Sequence, residues 1–342
     1  MLEHGGRLQL AARQYGIAEA DWLDLSTGIA PWPWPVPAIP LRAWARLPET
    51  EDGLEAAARA YYGAAQLLPV AGSQAAIQML PRLRRAGKVG VLSPCYAEHA
   101  EAWRKGGHSV LELGEDEVDL LLDLEGVDGL DVLVLVNPNN PTGRLIERTQ
   151  LLDWHARLAR RGGWLVVDEA FMDNTPEHSL AASSGRDGLI VLRSFGKFFG
   201  LAGARLGFVL APNELLQALA EQLGPWTING PTRVLGAACL RDGDGHLLQR
   251  QRSAQASERL AGLLGRHGFA PVGGCALFQW LPSAEAQALQ DFLGRRGILV
   301  RLFVQQFVEK VQSSSLRFGL PADEAGWARL EQALQAYRQE FA

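Results

Sequence analysis

The chain has 342 residues, 47% of them hydrophobic and 21% charged, an ordinary globular composition long enough for two domains and a large core. Its net charge is −5 with a pI near 5.9, so no global basic field draws it to nucleic acid or to an anionic membrane. Three cysteines, Cys95, Cys239 and Cys275, lie far apart with no CxxC spacing, which argues against a metal site or a disulfide framework and makes a reducing cytoplasm the default.

The first residues, MLEHGGRLQLAARQYG, lack the apolar run of a secretory signal. STGIAPWPWPVPAIP is rich in Pro and Trp, so it predicts an extended arm leading out of an N-terminal segment, 1–30. Short apolar runs follow, each ending in polar residues, Gly or Pro: VGVLSP, DVLVLVNP, GGWLVVDEA, GLIVLRSF and ARLGFVLAP. None alternates with period two, which suits strands buried on both faces, and VLVLV is far too short to span a bilayer. Helical patterns at 73–86, 96–106 and 147–161 lie between most of them, predicting an α/β large domain over 31–212 with a mostly parallel sheet. Beyond it, helices at 212–223, 231–241, 247–267, 284–296 and 324–341 dominate. Short strands near CALFQWLP, GILVRLF and SLRFGL complete a smaller α+β domain, 213–342.

Ligands of parallel sheets bind beyond the carboxyl ends of the strands, and several polar residues stand there. Gly72, Ser73 and Gln74 open a helix whose free N–H groups suit a phosphate; a plain serine cap is the alternative. Tyr96 follows the strand VGVL and offers a flat stacking face, or is a packing residue. LVNPNNPTG is a rigid turn that aims the Asn140 amide outward. Asp168 closes WLVVD; buried and ionised, it needs a cationic partner, and either an ion pair, a helix cap or a protonated pyridine nitrogen meets that need. SFGKFFGLAGARLGF puts a hydroxyl (Ser194), an amine (Lys197) and a guanidinium (Arg205) into one glycine-punctuated loop, as a buried anion beside a reactive amine would require.

The ligand that asks for all of these is pyridoxal 5′-phosphate. Its aldehyde would condense with Lys197, its ring nitrogen pair with Asp168, its phenolic oxygen accept from Asn140 and its ring stack on Tyr96. GLAGARLG lacks the G-x-G-x-x-G spacing of a nicotinamide-dinucleotide site. No spare residues or basic N-terminal domain suggest a DNA-binding regulator.

NPNNPTG, DEA, SxxK and the Arg eight residues after the Lys resemble the fold-type-I pyridoxal-phosphate enzymes of the histidinol-phosphate aminotransferase-like branch. The resemblance covers about 72 to 319. It implies a fold-type-I transferase fold and homodimers, with Arg317 of SSSLRFGL on the substrate's carboxylate and Arg301 of GILVRLF on a substrate phosphate. LEHGG, DLSTGIAPWPWP and GPWTINGP further resemble the threonine-phosphate decarboxylases of cobalamin biosynthesis. Those enzymes convert L-threonine O-3-phosphate into (R)-1-amino-2-propanol O-2-phosphate. His4, Gly5 and Gly6 would then fold over the substrate phosphate. The alternative within the branch is an aminotransferase acting on histidinol phosphate or an aromatic amino acid. Two departures lean away from it: Phe171 stands where many relatives carry a Tyr that donates to the phenolic oxygen, and Leu47 where an RYP segment has its Tyr.

Overall fold

The protein is described from a computed structural model covering residues 5–306 and 312–341. The strands are β1 (Leu23–Leu25), β2 (Leu68–Val70), β3 (Lys88–Leu92), β4 (Ser109–Leu113), β5 (Val132–Val136), β6 (Trp164–Asp168), β7 (Leu189–Ser194), β8 (Gly207–Leu210), β9 (Gly273–Cys275), β10 (Phe278–Pro282), β11 (Ile298–Gln306) and β12 (Gln312–Gly319). The helices are α1 (Leu8–Tyr15), α2 (Leu41–Ala45), α3 (Leu54–Tyr62), α4 (Ser73–Met79), α5 (Glu98–Lys105), α6 (Glu115–Asp123), α7 (Arg148–Ala159), α8 (Phe195–Phe198), α9 (Asn213–Leu223), α10 (Gly230–Arg241), α11 (Gly243–Arg266), α12 (Ala286–Gly294) and α13 (Glu324–Phe341). Among the described residues, no helix is long and apolar enough to cross a membrane.

One unit comprises Pro33–Asn140 and Arg144–Leu247. Its seven-stranded sheet has the order β2-β8-β7-β6-β5-β3-β4. β7, β6, β5, β3 and β4 run parallel, and β8 runs antiparallel to both β7 and β2. Leu133, Leu135, Leu165, Val167, Leu189 and Val191 enter one core cluster, while Val132, Val134, Val166, Ile190 and Leu192 enter a second. Successive residues of a strand point to opposite faces, so a sheet covered on both sides needs apolar residues throughout. That is why these runs show no alternation.

The other unit comprises Met1–Trp32, Pro141–Gly143 and Leu248–Ala342. Its five-stranded sheet has the order β1-β11-β12-β10-β9. β1 pairs parallel with β11 through Leu23 and Ile298, so the N-terminal segment is a strand of this sheet. The remaining pairs are antiparallel.

Several boundaries differ from the sequence expectation. The chain divides after Leu247 rather than near 212, because α9 and α10 pack into the seven-stranded unit. Arg233 of α10 donates to Asp52 at 2.6 Å and to Glu55 at 2.7 Å, tying α10 to the start of α3, and Leu216 and Leu219 of α9 join the core of Ile77 and Val209. The helix expected over 73–86 ends at Met79 and continues as a 3-10 turn, Leu80–Leu83, where Pro81 breaks the α-helical pattern. The arm is extended as its prolines require, and α2 starts at Leu41, immediately after Pro40. Trp34 of the arm serves the core: it is 7% exposed, meets Phe199 with ring centroids 4.9 Å apart, and donates to Asp242 at 3.1 Å.

Candidate active site

Topology gathers the candidate residues of the seven-stranded unit along one edge of its sheet. Tyr96 and Asn140 follow β3 and β5, Asp168 and Ser194 end β6 and β7, and Lys197 lies in α8 directly after β7. Gly72 and Ser73 follow β2 in the same way. Arg205 precedes its strand, yet it reaches the same edge because β8 is antiparallel, with Gly207 opposite Ser194.

The candidate anion cradle is assembled by close backbone approach. Gly72 has φ +73, and a Cβ there would stand 2.8 Å from Nη2 of Arg205. A Cβ on Gly207 would stand 2.6 Å from the Ser73 backbone nitrogen. Side chains at either position would fill the space that an anion and its donors need. Arg205 itself is left-handed at φ 53, and its Nη1 donates to the Ala202 carbonyl at 3.2 Å.

Asp168 is 3% exposed. Its Oδ2 lies 3.0 Å from Nε2 of His99, and its Oδ1 accepts from the Ala170 amide at 3.1 Å. The ring of His99 meets Tyr96 edge-on, with centroids 6.1 Å apart. Tyr96 donates to Gln74 at 3.1 Å, and Gln74 and Gln78 both donate to Glu98. Burial, with the charges of Glu98 and Asp168, pushes the Tyr96 phenol up to about 12, so it is neutral at physiological pH. The half-buried amine of Lys197 lies 5.6 Å from the Phe171 ring centroid, and Phe171 is 4% exposed. The NPNNPTG turn is held by Asn137, which donates to the Ile146 carbonyl at 3.1 Å and accepts from the Ile146 amide at 2.8 Å. Asn140 sits at its tip, half-buried. This set fits pyridoxal phosphate: a cradle with backbone and guanidinium donors, a buried carboxylate, a neutral aromatic face and an amine. Among the described residues, no group of three or more His, Cys, Asp or Glu could hold a metal.

In the other unit, Arg301 of β11 and Arg317 of β12 are directly opposed. Arg317 is 6% exposed and donates to the Ser26 carbonyl at 2.8 Å. Burial, then the charge of Arg301, bring its pKa down to about 10. The two opposed cations repel, an effect that the charge of Asp24 partly offsets and that an anion between them would relieve. Ser26 also joins the glycines to this site. Its Oγ accepts from the Gly6 amide at 2.8 Å and donates to Asp24 at 2.6 Å, and a Cβ on Gly5 would strike its carbonyl. His4 lies outside the described residues.

Sequence reasoning missed two features. His99 stands three residues after Tyr96, within the helix expected over 96–106, which was its one signal. Arg193 and Glu169 neighbour Ser194 and Asp168 in sequence but project into the opposite layer. There Arg193 pairs with Glu169 at 2.7 Å and Asp173 at 2.9 Å, its guanidinium 4.6 Å from the Tyr62 ring centroid. Burial opposes the charge of Arg193, but Asp173 and Glu169 outweigh it and raise the pKa.

The pattern of aminotransferase class I and II matches residues 42–331. The chain belongs to that family. This family member is 65% identical over 339 residues to threonine-phosphate decarboxylase of Pseudomonas aeruginosa, covering 99% of each chain. It is 43% identical over 341 residues to threonine-phosphate decarboxylase of a Sinorhizobium species, covering 97% of each. Its fold matches that of histidinol-phosphate aminotransferase from Sinorhizobium meliloti, solved with pyridoxal-5′-phosphate. The TM-score is 0.85 at 20% identity, over 100% of this chain and 96% of that one. The aminotransferase fold is thus shared across the family, while high identity runs to the decarboxylases.

Proposed function

We propose that the protein decarboxylates L-threonine O-3-phosphate to (R)-1-amino-2-propanol O-2-phosphate, a step of cobalamin biosynthesis, with pyridoxal phosphate as cofactor. The observation that carries this reading is 65% identity to a threonine-phosphate decarboxylase across 99% of both chains.

Pyridoxal phosphate, when bound, supplies an electron-withdrawing ring conjugated to the substrate's amine. Which bond at Cα reacts would then depend on how the protein orients the substrate's substituents. Arg317 would take the carboxylate and Arg301 the phosphate; fixing both anions would orient the substrate so that the carboxylate is the group presented for loss. Asp168 would face the ring nitrogen, and His99, 3.0 Å away, orients that carboxylate. Gly72, Ser73, Ser194 and Arg205 would hold the cofactor phosphate, Gln74 would orient Tyr96 toward the ring, and Asn140 would donate to the phenolic oxygen. Lys197 would supply the proton that replaces CO2 at Cα. Phe171, beside the Lys197 amine, offers no hydroxyl to the phenolic oxygen and leaves Asn140 as the donor there.

We also infer that two copies associate. Val36, Leu41, Trp44 and Leu47 are 59%, 80%, 66% and 64% exposed on neighbouring positions of the arm and α2, and a second copy would cover them.

The test is CO2 release from L-threonine O-3-phosphate by cofactor-loaded protein without 2-oxoglutarate. Stoichiometric aminopropanol phosphate is expected. Amino transfer from histidinol phosphate to 2-oxoglutarate, with no CO2, would overturn the reading.

A further inference from the structure

We propose that Trp280 is a third donor for the anion held by Arg317, and that its indole N–H recognises the carboxylate that the reaction removes. This rests on the reading above, in which Arg317 takes the carboxylate and Arg301 the phosphate.

The strand register lines up Gly273, Trp280, Arg317 and Arg301 in one row across β9, β10, β12 and β11. Directly opposed residues project from the same face of a sheet. The flanking rings agree: the Arg317 guanidinium lies 5.2 Å from the Phe278 centroid and 5.8 Å from that of Phe303, each two residues along from a member of the row. Nε1 of Trp280 is buried and meets no acceptor among the described residues. An indole N–H only donates, and so does a guanidinium, so Arg317 cannot satisfy it. Buried tryptophan N–H groups ordinarily find an acceptor.

The ring's orientation says where the acceptor must be. Cε3 of Trp280 faces β9, 3.4 Å from the position a Cβ on Gly273 would occupy. Nε1 is on the opposite edge of the indole, the one farther from β9, and Arg317 is the neighbour of Trp280 on that side of the row. A carboxylate bound by Arg317 has lone pairs to spare for this donor. Trp280 neighbours Arg317 and not Arg301, so the row pairs it with the carboxylate rather than the phosphate.

The experiment compares wild-type holoenzyme with Trp280→Phe, which keeps a ring and loses the donor, and with Trp280→His, which regains an N–H. Trp280→Phe is expected to raise KM for L-threonine O-3-phosphate about tenfold, with kcat changed less than about twofold, and Trp280→His to recover part of that loss. Inhibition by (R)-1-amino-2-propanol O-2-phosphate, which has no carboxylate, is expected to stay the same. The indole N–H resonance missing from the ¹H–¹⁵N spectrum of Trp280→Phe should move on adding threonine phosphate to Lys197→Ala protein, in which the substrate is not consumed, and not on adding aminopropanol phosphate. An unchanged KM, or equal weakening of substrate and product, overturns the proposal. The spectrum reads binding alone, so a silent resonance overturns it even in a protein that releases CO2. Conversely, a moving resonance without CO2 release faults the decarboxylase reading and leaves Trp280 as a carboxylate donor.

Discussion

In the seven-stranded unit, Tyr96, Asn140, Asp168 and Ser194 each stand at or within a few residues of a strand's carboxyl end. In the five-stranded unit, Arg301 and Arg317 lie within long strands and face one another only because β11 and β12 pair in one register. The first arrangement follows from direction: parallel strands deliver their ends to one edge whatever their exact pairing. The second follows from register, and a slip by one residue would turn one arginine to the other face of the sheet. The proposed cofactor site is thus gathered from local chain ends, while the opposed arginines depend on non-local pairing.

The comparison breaks most sharply at Lys197. Lys197→Ala should lower decarboxylation by more than about a thousandfold, since on the proposed mechanism it removes both the covalent anchor and the acid, yet leave the Arg317 face intact. Retained binding of aminopropanol phosphate, measured by calorimetry, would show that the two sites are separable; loss of both would join them.

Next comes the layer behind the cofactor edge. Arg193→Met strips Glu169 and Asp173 of a buried partner and should destabilise the protein by about 3–5 kcal/mol in denaturant unfolding. A change under about 1 kcal/mol would mean that the pair is dispensable and that the strand ends are held by the core alone.

On the other side, Arg317→Ala should raise KM about tenfold to a hundredfold, a charge-assisted hydrogen bond being worth about 1.5–3 kcal/mol. Steady-state kinetics would check it, and the cofactor's absorption spectrum should not move. Phe171→Tyr, which places a hydroxyl near Lys197, should alter the rate by less than about tenfold and shift that spectrum.

The smallest effect is the pH dependence of the arginine face. Anion binding needs the charged guanidinium, and burial beside Arg301 has lowered the Arg317 pKa to about 10 in the free protein. Affinity is therefore full near neutrality and falls as pH rises through about 10, with a bound anion moving the loss to higher pH. A KM that stays flat well above that point would contradict this environment for Arg317.

Much of the cofactor edge was legible because its determinants are short. WLVVDEA states an apolar strand and the acid that ends it; SFGKFFGLAGARLGF carries the hydroxyl, the amine and the guanidinium. Less legible was anything that one strand does to another. Glu169 looks like the neighbour of Asp168, and nothing local says that it meets Arg193. Arg233, deep in a helix that looked part of the smaller domain, ties α10 to Asp52 and Glu55, and so moves the boundary past 212. Trp34 looked like surface in a Pro-rich arm, but Phe199 and Asp242 receive it.

By itself, the sequence determined the class of fold, the strand ends and the chemistry gathered there, because apolar runs, prolines and glycines act on the backbone within a few residues. Tertiary structure decided which layer each charged side chain entered, which helices joined which unit, and that Gly273, Trp280, Arg317 and Arg301 form one row. Those outcomes depend on pairing between distant segments, and pairing energy belongs to two stretches of chain at once, so neither stretch encodes it alone.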